Sequence, residues 1–281
     1  MLWQRVVTAV LLLAVLLPAI FYPQPVVFSI VAILLIAAGG WEWARLNHVG
    51  TAGAWATGAV CMVVCAVLLY CAAEFVPVSG LWLTVTAIWV LGGSWLLALG
   101  AARWVLVPKP IRWMLGVFCL CAAWLAVIQA RVIGINFLFS VMVLVWAADI
   151  GAYFSGRLLG GKLFKRKLAP SISPGKTWEG VLGGMLGVAL CALVWIQIEQ
   201  RVVLDSVSIY KKLWQQDGLL TVLAILWLVA WSVVGDLTES LIKRGAGVKD
   251  SSNLLPGHGG VLDRLDALLP VLPMAMMLQS L

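Results

Sequence analysis

Polar positions in this chain arrive in clumps, and long, almost uncharged apolar runs separate the clumps. Those runs predict helices at 3–21, 25–44, 53–73, 81–100, 113–132, 135–155, 178–199, 218–236 and 260–280. Each holds about 20 mostly apolar residues, the length that crosses roughly 30 Å of hydrocarbon. The last is irregular, because Asp263, Arg264 and Asp266 stand at its start. Arg5 followed by the run Leu11–Leu17 has the look of a leader peptide. No small-residue cleavage site follows it, and Pro18 to Pro25 reads as a turn into the next run, so an uncleaved first span is expected. Spanning backbone must satisfy its own hydrogen bonds, which makes the expected fold an all-α polytopic membrane bundle of about nine helices. Gly39-Gly40, Gly92-Gly93 and Gly183-Gly184 suit close helix contacts. No internal repeat or low-complexity tract divides the chain. It reads as one transmembrane domain, with N-terminal spans over 1–134 and a catalytic half over 135–281.

Composition sharpens this picture. The chain is 63% hydrophobic and only 11% charged, with a mean hydropathy of +1.05. A soluble domain could neither wet such a surface nor bury so much apolar sequence in its core. With nine spans, fifteen of the nineteen Lys and Arg fall on one side; Arg131, Arg201, Lys211 and Lys212 fall on the other. The positive-inside rule then puts the N-terminus in the cytoplasm. The net charge of +7 belongs to that face, where it attracts anionic lipid headgroups. No basic domain stands clear of the bilayer, so a nucleic-acid partner is not expected. Cys61, Cys65, Cys71, Cys119, Cys121 and Cys191 all lie in apolar runs without CxxC spacing and read as packing residues.

Candidate chemistry is confined to two charged segments on the basic side. Asp149 sits inside an apolar span, where an ionisable group usually faces a wet cavity; a packing carboxyl tied to a nearby Lys or Arg is the competing reading. Asp236, Glu239, Ser240 and Lys243 share one face of a helix by their i, i+3, i+4, i+7 spacing, and Asp263 and Asp266 repeat the i, i+3 step. Hard carboxylate oxygens suit Mg²⁺, which takes one or two carboxylates and leaves room for substrate phosphates. Interfacial pairing with Lys243, Arg244 and Arg264 is the alternative, open for Glu239 and Asp266. For Asp236 with Asp263 metal binding is the expectation, the two acting as one unit at a wet interface where losing either costs little stability. The Gly-rich stretch between them carries Lys243, Arg244, Lys249 and His258, and such a segment can wrap an anion. Gly175-Lys176-Thr177 is no Walker loop, since Pro170 occupies the position that needs Gly and no strand precedes it.

The run Ser240 to Asp266, SLIKRGAGVKDSSNLLPGHGGVLDRLD, closely resembles the C-terminal hallmark of the phosphatidate cytidylyltransferases, or CDP-diacylglycerol synthases. The Asp149 stretch and Ser173-Pro174-Gly175-Lys176-Thr177-Trp178-Glu179-Gly180 resemble that family's second block, with Gly175 where Lys often stands. The first 140 or so residues are similar only in hydrophobic character. The resemblance implies a Mg²⁺-dependent attack of the phosphatidate phosphate on the α-phosphorus of CTP, giving CDP-diacylglycerol and pyrophosphate. It implies metal ligation by Asp236 and Asp263, and a second cation such as K⁺. Candidate catalytic residues are then Asp149, Lys243, Arg244, Lys249, Asp250 and His258, and candidate substrate-binding residues are Ser173, Lys176, Thr177 and Arg264. A homodimer in a bacterial inner membrane, with its active site on the cytoplasmic side, completes the expectation. Two other readings compete. A related CTP-using enzyme of isoprenoid lipids would share this chemistry, and a transporter would use Asp149 as an ion site. Against the transporter, the acids crowd one face and no repeat symmetry is visible.

Overall fold

A computed structural model describes residues 2–71 and 79–281. The described residues form helices joined by short turns and two longer loops, with no β-strand among them. Helices α1 (Leu2–Phe21), α2 (Pro25–Leu46) and α3 (Thr51–Cys71) open the chain. The last two residues expected in the third span, 72–73, lie outside the described ones. The fourth span is α4 (Ser79–Ile88), a π-helical turn at Trp89–Gly93, and α5 (Ser94–Leu99), followed by the single turn α6 (Ala101–Trp104). Then come α7 (Lys109–Ile133), α8 (Ile135–Leu159), α9 (Trp178–Arg201), the short α10 (Ile209–Gln216), α11 (Gly218–Gly245), and the pair α12 (Leu262–Leu265) and α13 (Leu268–Gln279).

Local sequence explains the boundaries. Pro25 starts α2, where its missing N–H costs nothing. Thr177, Ser208 and Asp217 cap α9, α10 and α11, each accepting from a backbone N–H three residues on. Gly134 makes the corner between α7 and α8 at φ +155°, and a Cβ there would lie 2.2 Å from Ser206 Oγ. Two helices run well past the expected ends: α8 continues to Leu159 and α11 to Gly245. Arg157, Glu239 and Lys243 therefore sit on the same continuous helices as Asp149 and Asp236, which lie within the expected spans.

Among the described residues, eight helices are long and apolar enough to cross a membrane. The ninth expected span is a broken one. Pro270 has no N–H to offer the carbonyl of Asp266, and the helix restarts only at Leu268. The Asp266 carbonyl lies so close to Gly235 that a Cβ on Gly235 would stand 2.4 Å from it. Even so, the broken segment traverses the bundle, since Lys212 in α10 donates to the carbonyl of Gln279. The end of α13 therefore lies at the opposite face from Asp263.

The remaining long-range contacts sort the chain ends into two faces. Thr8 donates to the Pro256 carbonyl at 2.9 Å, and Lys109 to the His48 carbonyl at 3.1 Å, on the face that carries both long loops. At the other face Arg131 holds the carbonyls of Ile20 and Tyr22, and Asp205 accepts from the N–H groups of Ile135 and Asn136. The core lies between the faces around Trp82, Trp124, Phe137 and Tyr210, with α13 buried along nearly all its length. Leucines such as Leu11, Leu13, Leu186 and Leu190 point outward, as lipid-facing positions should. Of the three Gly pairs, Gly39-Gly40 and Gly183-Gly184 meet neighbouring helices; of the third, Gly93 meets Trp231 and Gly92 meets nothing within 4 Å.

Candidate active site

The loop at 160–177 is shaped by a single buried acid. Glu179, 2% exposed at the start of α9, accepts the N–H groups of Gly161, Leu163 and Phe164 at 2.9, 3.1 and 3.0 Å through one oxygen. Further along, a tight turn runs from Ala169 to Ser173, and Lys176 N–H closes on the Ser173 carbonyl at 3.2 Å. Ser173 thus serves this turn through its backbone. The guanidinium of Arg244, at the end of α11, donates to the Ile172 carbonyl at 3.3 Å and ties this loop to the second one. The turn delivers Lys176 to Asp236, and the two form an ion pair with side chains 24% and 32% exposed. Ser240 Oγ donates to the other carboxylate oxygen of Asp236 at 3.3 Å.

This pair opens onto a cleft of about 590 Å³ whose walls carry Asp149, Tyr153, Arg157, Lys176, Thr177 and Asp236, and whose apolar lining includes Ala148, Val229 and Val233. Two carboxylates and two cations thus face one space, which Val233 and Val229 extend with apolar side chains one and two turns further along α11 from Asp236. Such a cleft suits a ligand with a phosphate at one end and a lipid body at the other.

A second cluster lies around Lys243. Its ammonium stands 2.6 Å from Glu239 and 2.5 Å from Asp263, with all three side chains nearly buried. The second oxygen of Asp263 accepts Ser251 N–H at 2.8 Å, Ser251 Oγ at 2.7 Å and Gly260 N–H at 2.8 Å. Asp263 is therefore not a wet carboxylate equivalent to Asp236. One oxygen is saturated by the loop, and only the oxygen facing Lys243 has a displaceable partner.

The other expected residues are more scattered. Arg264 donates to the His258 carbonyl at 2.9 Å, and His258 Nδ1 is buried with no hydrogen-bond partner among the described residues. Lys249 and Asp250 line a separate polar cleft with Arg45, His48 and Asn253. Among the described residues, no three His, Cys, Asp or Glu side chains converge as a ready metal cage. Asp236, partly exposed with one cation on it, has the hard-oxygen chemistry a divalent ion needs, and Asp263 can offer its Lys243-facing oxygen.

Sequence reasoning gives Glu42 no role, yet it is fully buried in α2 and holds both ends of the second loop. It accepts from Ser251 Oγ at 3.1 Å, Ser252 Oγ at 2.5 Å, Val261 N–H at 2.9 Å and Leu262 N–H at 2.7 Å. The rule that singles out Asp149, an acid in an apolar span, applies equally to Glu42.

Fold and site together define a polytopic membrane protein with a charged cleft walled by α8, α9, α11 and the first loop. Residues 3–281 match the family model described as the cytidylyltransferase family, and the chain belongs to that family. It is 39% identical to the phosphatidate cytidylyltransferase of Pseudomonas aeruginosa over 279 residues, 97% of this chain and 95% of that one. It is 35% identical to the phosphatidate cytidylyltransferase of Haemophilus influenzae over 97% of this chain and 96% of that one. The enzyme of the same name from Bacillus subtilis is 41% identical over 148 residues, 53% of this chain.

Proposed function

We propose that this protein transfers a cytidylyl group from CTP to phosphatidate, forming CDP-diacylglycerol and pyrophosphate. The observation that carries the reading is the Lys176–Asp236 pair at the mouth of a cleft that also holds Asp149 and Arg157, in a chain that aligns end to end with relatives of that name. An oxygen of the phosphatidate phosphate bonds to the α-phosphorus of CTP, and the α–β anhydride bond breaks to release pyrophosphate. The attacking phosphate is already ionised near neutral pH, so no strong general base is required. The chain's work is to position two anions and neutralise their repulsion. Lys176 and Arg157 can do this in the cleft, with Thr177 and the loop backbone orienting the phosphates, while the apolar lining takes the lipid body.

The reading includes dependence on Mg²⁺, which would screen the reacting phosphates and for which Asp236 and Asp263 are the carboxylates that would hold it. A second cation such as K⁺ belongs to the same reading, with Asp149 as the further carboxylate of the cleft. So does a homodimer in a bacterial inner membrane, with the loop face in the cytoplasm. The basic character of that face supports this orientation.

The test is direct. Purified protein incubated with labelled CTP and phosphatidate is expected to form a CDP-lipid, to stop in excess chelator, and to use ATP poorly, because a site that hydrogen-bonds one base leaves buried groups unpaired with another. Full turnover in chelator would end the metal assignment. Equal use of ATP would move the reading to a lipid kinase.

A further inference from the structure

The residues of the proposed chemistry lie at 149–266, but one buried acid of the N-terminal half reaches into them. Glu42 is 0% exposed. A buried carboxylate is costly unless its lone pairs are filled, and here Ser252 Oγ and Val261 N–H donate to one oxygen and Leu262 N–H to the other, where Ser251 Oγ also stands, its single proton shared between Glu42 and Asp263. No ion pair neutralises Glu42 among the described residues. Its partners come in two pairs, at the beginning and the end of a single loop. The stretch between them folds back as a turn, with Leu255 N–H on the Gly259 carbonyl at 2.9 Å.

The next residue after Leu262 is Asp263, and the Ser251 hydroxyl lies between the two acids, 3.1 Å from Glu42 and 2.7 Å from Asp263. The packing leaves no slack. A Cβ on Gly260 would stand 2.0 Å from Ser251 Oγ and 2.3 Å from Glu42 Oε1. Asp263 in turn fixes Lys243. The chain of contacts therefore runs from α2 through Ser251 to Asp263 and on to the ammonium on α11. We propose that Glu42 is a positioning residue of the transferase, which sets the orientation of Asp263 and through it of Lys243. The inference rests on the activity proposed above. An apolar side chain in α2 could hold the loop against the bundle, but it could not fix the direction of four donors.

Glu42→Gln keeps the shape and places an NH₂ group against donors on one side, so the loop ends must turn. With full-length protein purified in detergent, kcat per folded molecule is expected to fall about 10–100-fold, the usual cost of losing an outer partner of a functional carboxylate. The KM values for CTP and phosphatidate should stay within about threefold of wild type, the pattern of an interaction felt in the transition state alone. Added to Ser251→Ala, the same substitution should cost much less than it does alone, because Ser251 carries the coupling. Unchanged kcat with a lowered melting midpoint would reduce Glu42 to a structural brace and overturn the proposal. So would raised KM at unchanged kcat, or full additivity with Ser251→Ala. If Glu42→Gln does not accumulate, Ser252→Ala, which removes one of the four donors, reads the same split; an unchanged kcat there overturns the proposal. Wild type assayed alongside separates the two readings: no CDP-lipid from wild type fells the activity itself, whereas active wild type with an equally active Glu42→Gln fells only the positioning role.

Discussion

Asp236 and Asp263 have the same side chain and, in the proposed reaction, related duties, but their surroundings differ. Asp236 is 32% exposed and pairs with one lysine at the mouth of a cleft, while Asp263 is 6% exposed and has donors on both oxygens. Asp236→Asn and Asp263→Asn are both expected to abolish turnover. Their stabilities should part company. An exposed pair contributes about 0–1 kcal/mol, so Asp236→Asn should barely move the melting midpoint. Asp263→Asn sets an amide NH₂ against backbone donors or strips Lys243 of a partner, at a cost of about 2–4 kcal/mol. Melting curves of the two purified variants check this, and coincident midpoints would contradict the different roles assigned here. The acids themselves were legible in the sequence, together with their basic neighbours. Which of them already has partners was not legible, because the donors are backbone N–H groups and hydroxyls brought in by loop closure. Glu42 shows this most plainly, since its partners lie more than 200 residues away and only the fold brings them to it.

At the scale of the helix, apolar runs located the spans but not their ends. Hydropathy falls where a helix leaves the hydrocarbon, whereas hydrogen bonding continues until a cap or a glycine stops it. That is why α11 carries Lys243 and Arg244 beyond its expected end, while the last span, apolar throughout 267–278, is broken at its first turns by Pro270. Small residues then decide how closely the carriers approach. A Cβ on Gly151 of α8 would stand 2.5 Å from the Gly183 carbonyl of α9, and one on Gly184 would stand 2.9 Å from the Ala148 carbonyl. Both contacts flank Asp149 and the wall of the cleft. Gly151→Ala should force the two helices apart at a cost of about 1–3 kcal/mol. Through displacement of Asp149 it should lower kcat/KM by about tenfold to a hundredfold. Gly92→Ala is the control, because its added methyl meets nothing within 4 Å. If Gly151→Ala retained the activity and melting midpoint of Gly92→Ala, close α8–α9 contact would not be what shapes the cleft.

At the scale of the whole molecule, both loops meet at one end of the bundle. Arg244 at the end of α11 donates to the Ile172 carbonyl of the first loop and the Val248 carbonyl of the second, Lys176 ties the first loop to Asp236 on α11, and Thr8 on the Pro256 carbonyl brings the first helix to the same face. The count of Lys and Arg anticipated that shared face, since each crossing exchanges the ends of the chain between sides. A soluble nucleotide and a membrane lipid can meet only where a cleft opens to water at headgroup level, and the proposed site makes this the face that sees CTP. Single cysteines at Ser171 and Asn253, both exposed on the loops, should therefore react with a membrane-impermeant maleimide from the same side. A cysteine at Val203, 99% exposed in the connection from α9 to α10, should react from the opposite side. The six free cysteines of the natural chain have to be replaced first. In inside-out vesicles the two loop positions are expected to label and Val203 to stay silent, with the reverse in right-side-out vesicles. Labelling of Ser171 and Asn253 from opposite sides would break the single site apart. Labelling of both from the outer side would keep the site but invert the protein, and CTP from the cytoplasm could then never reach it.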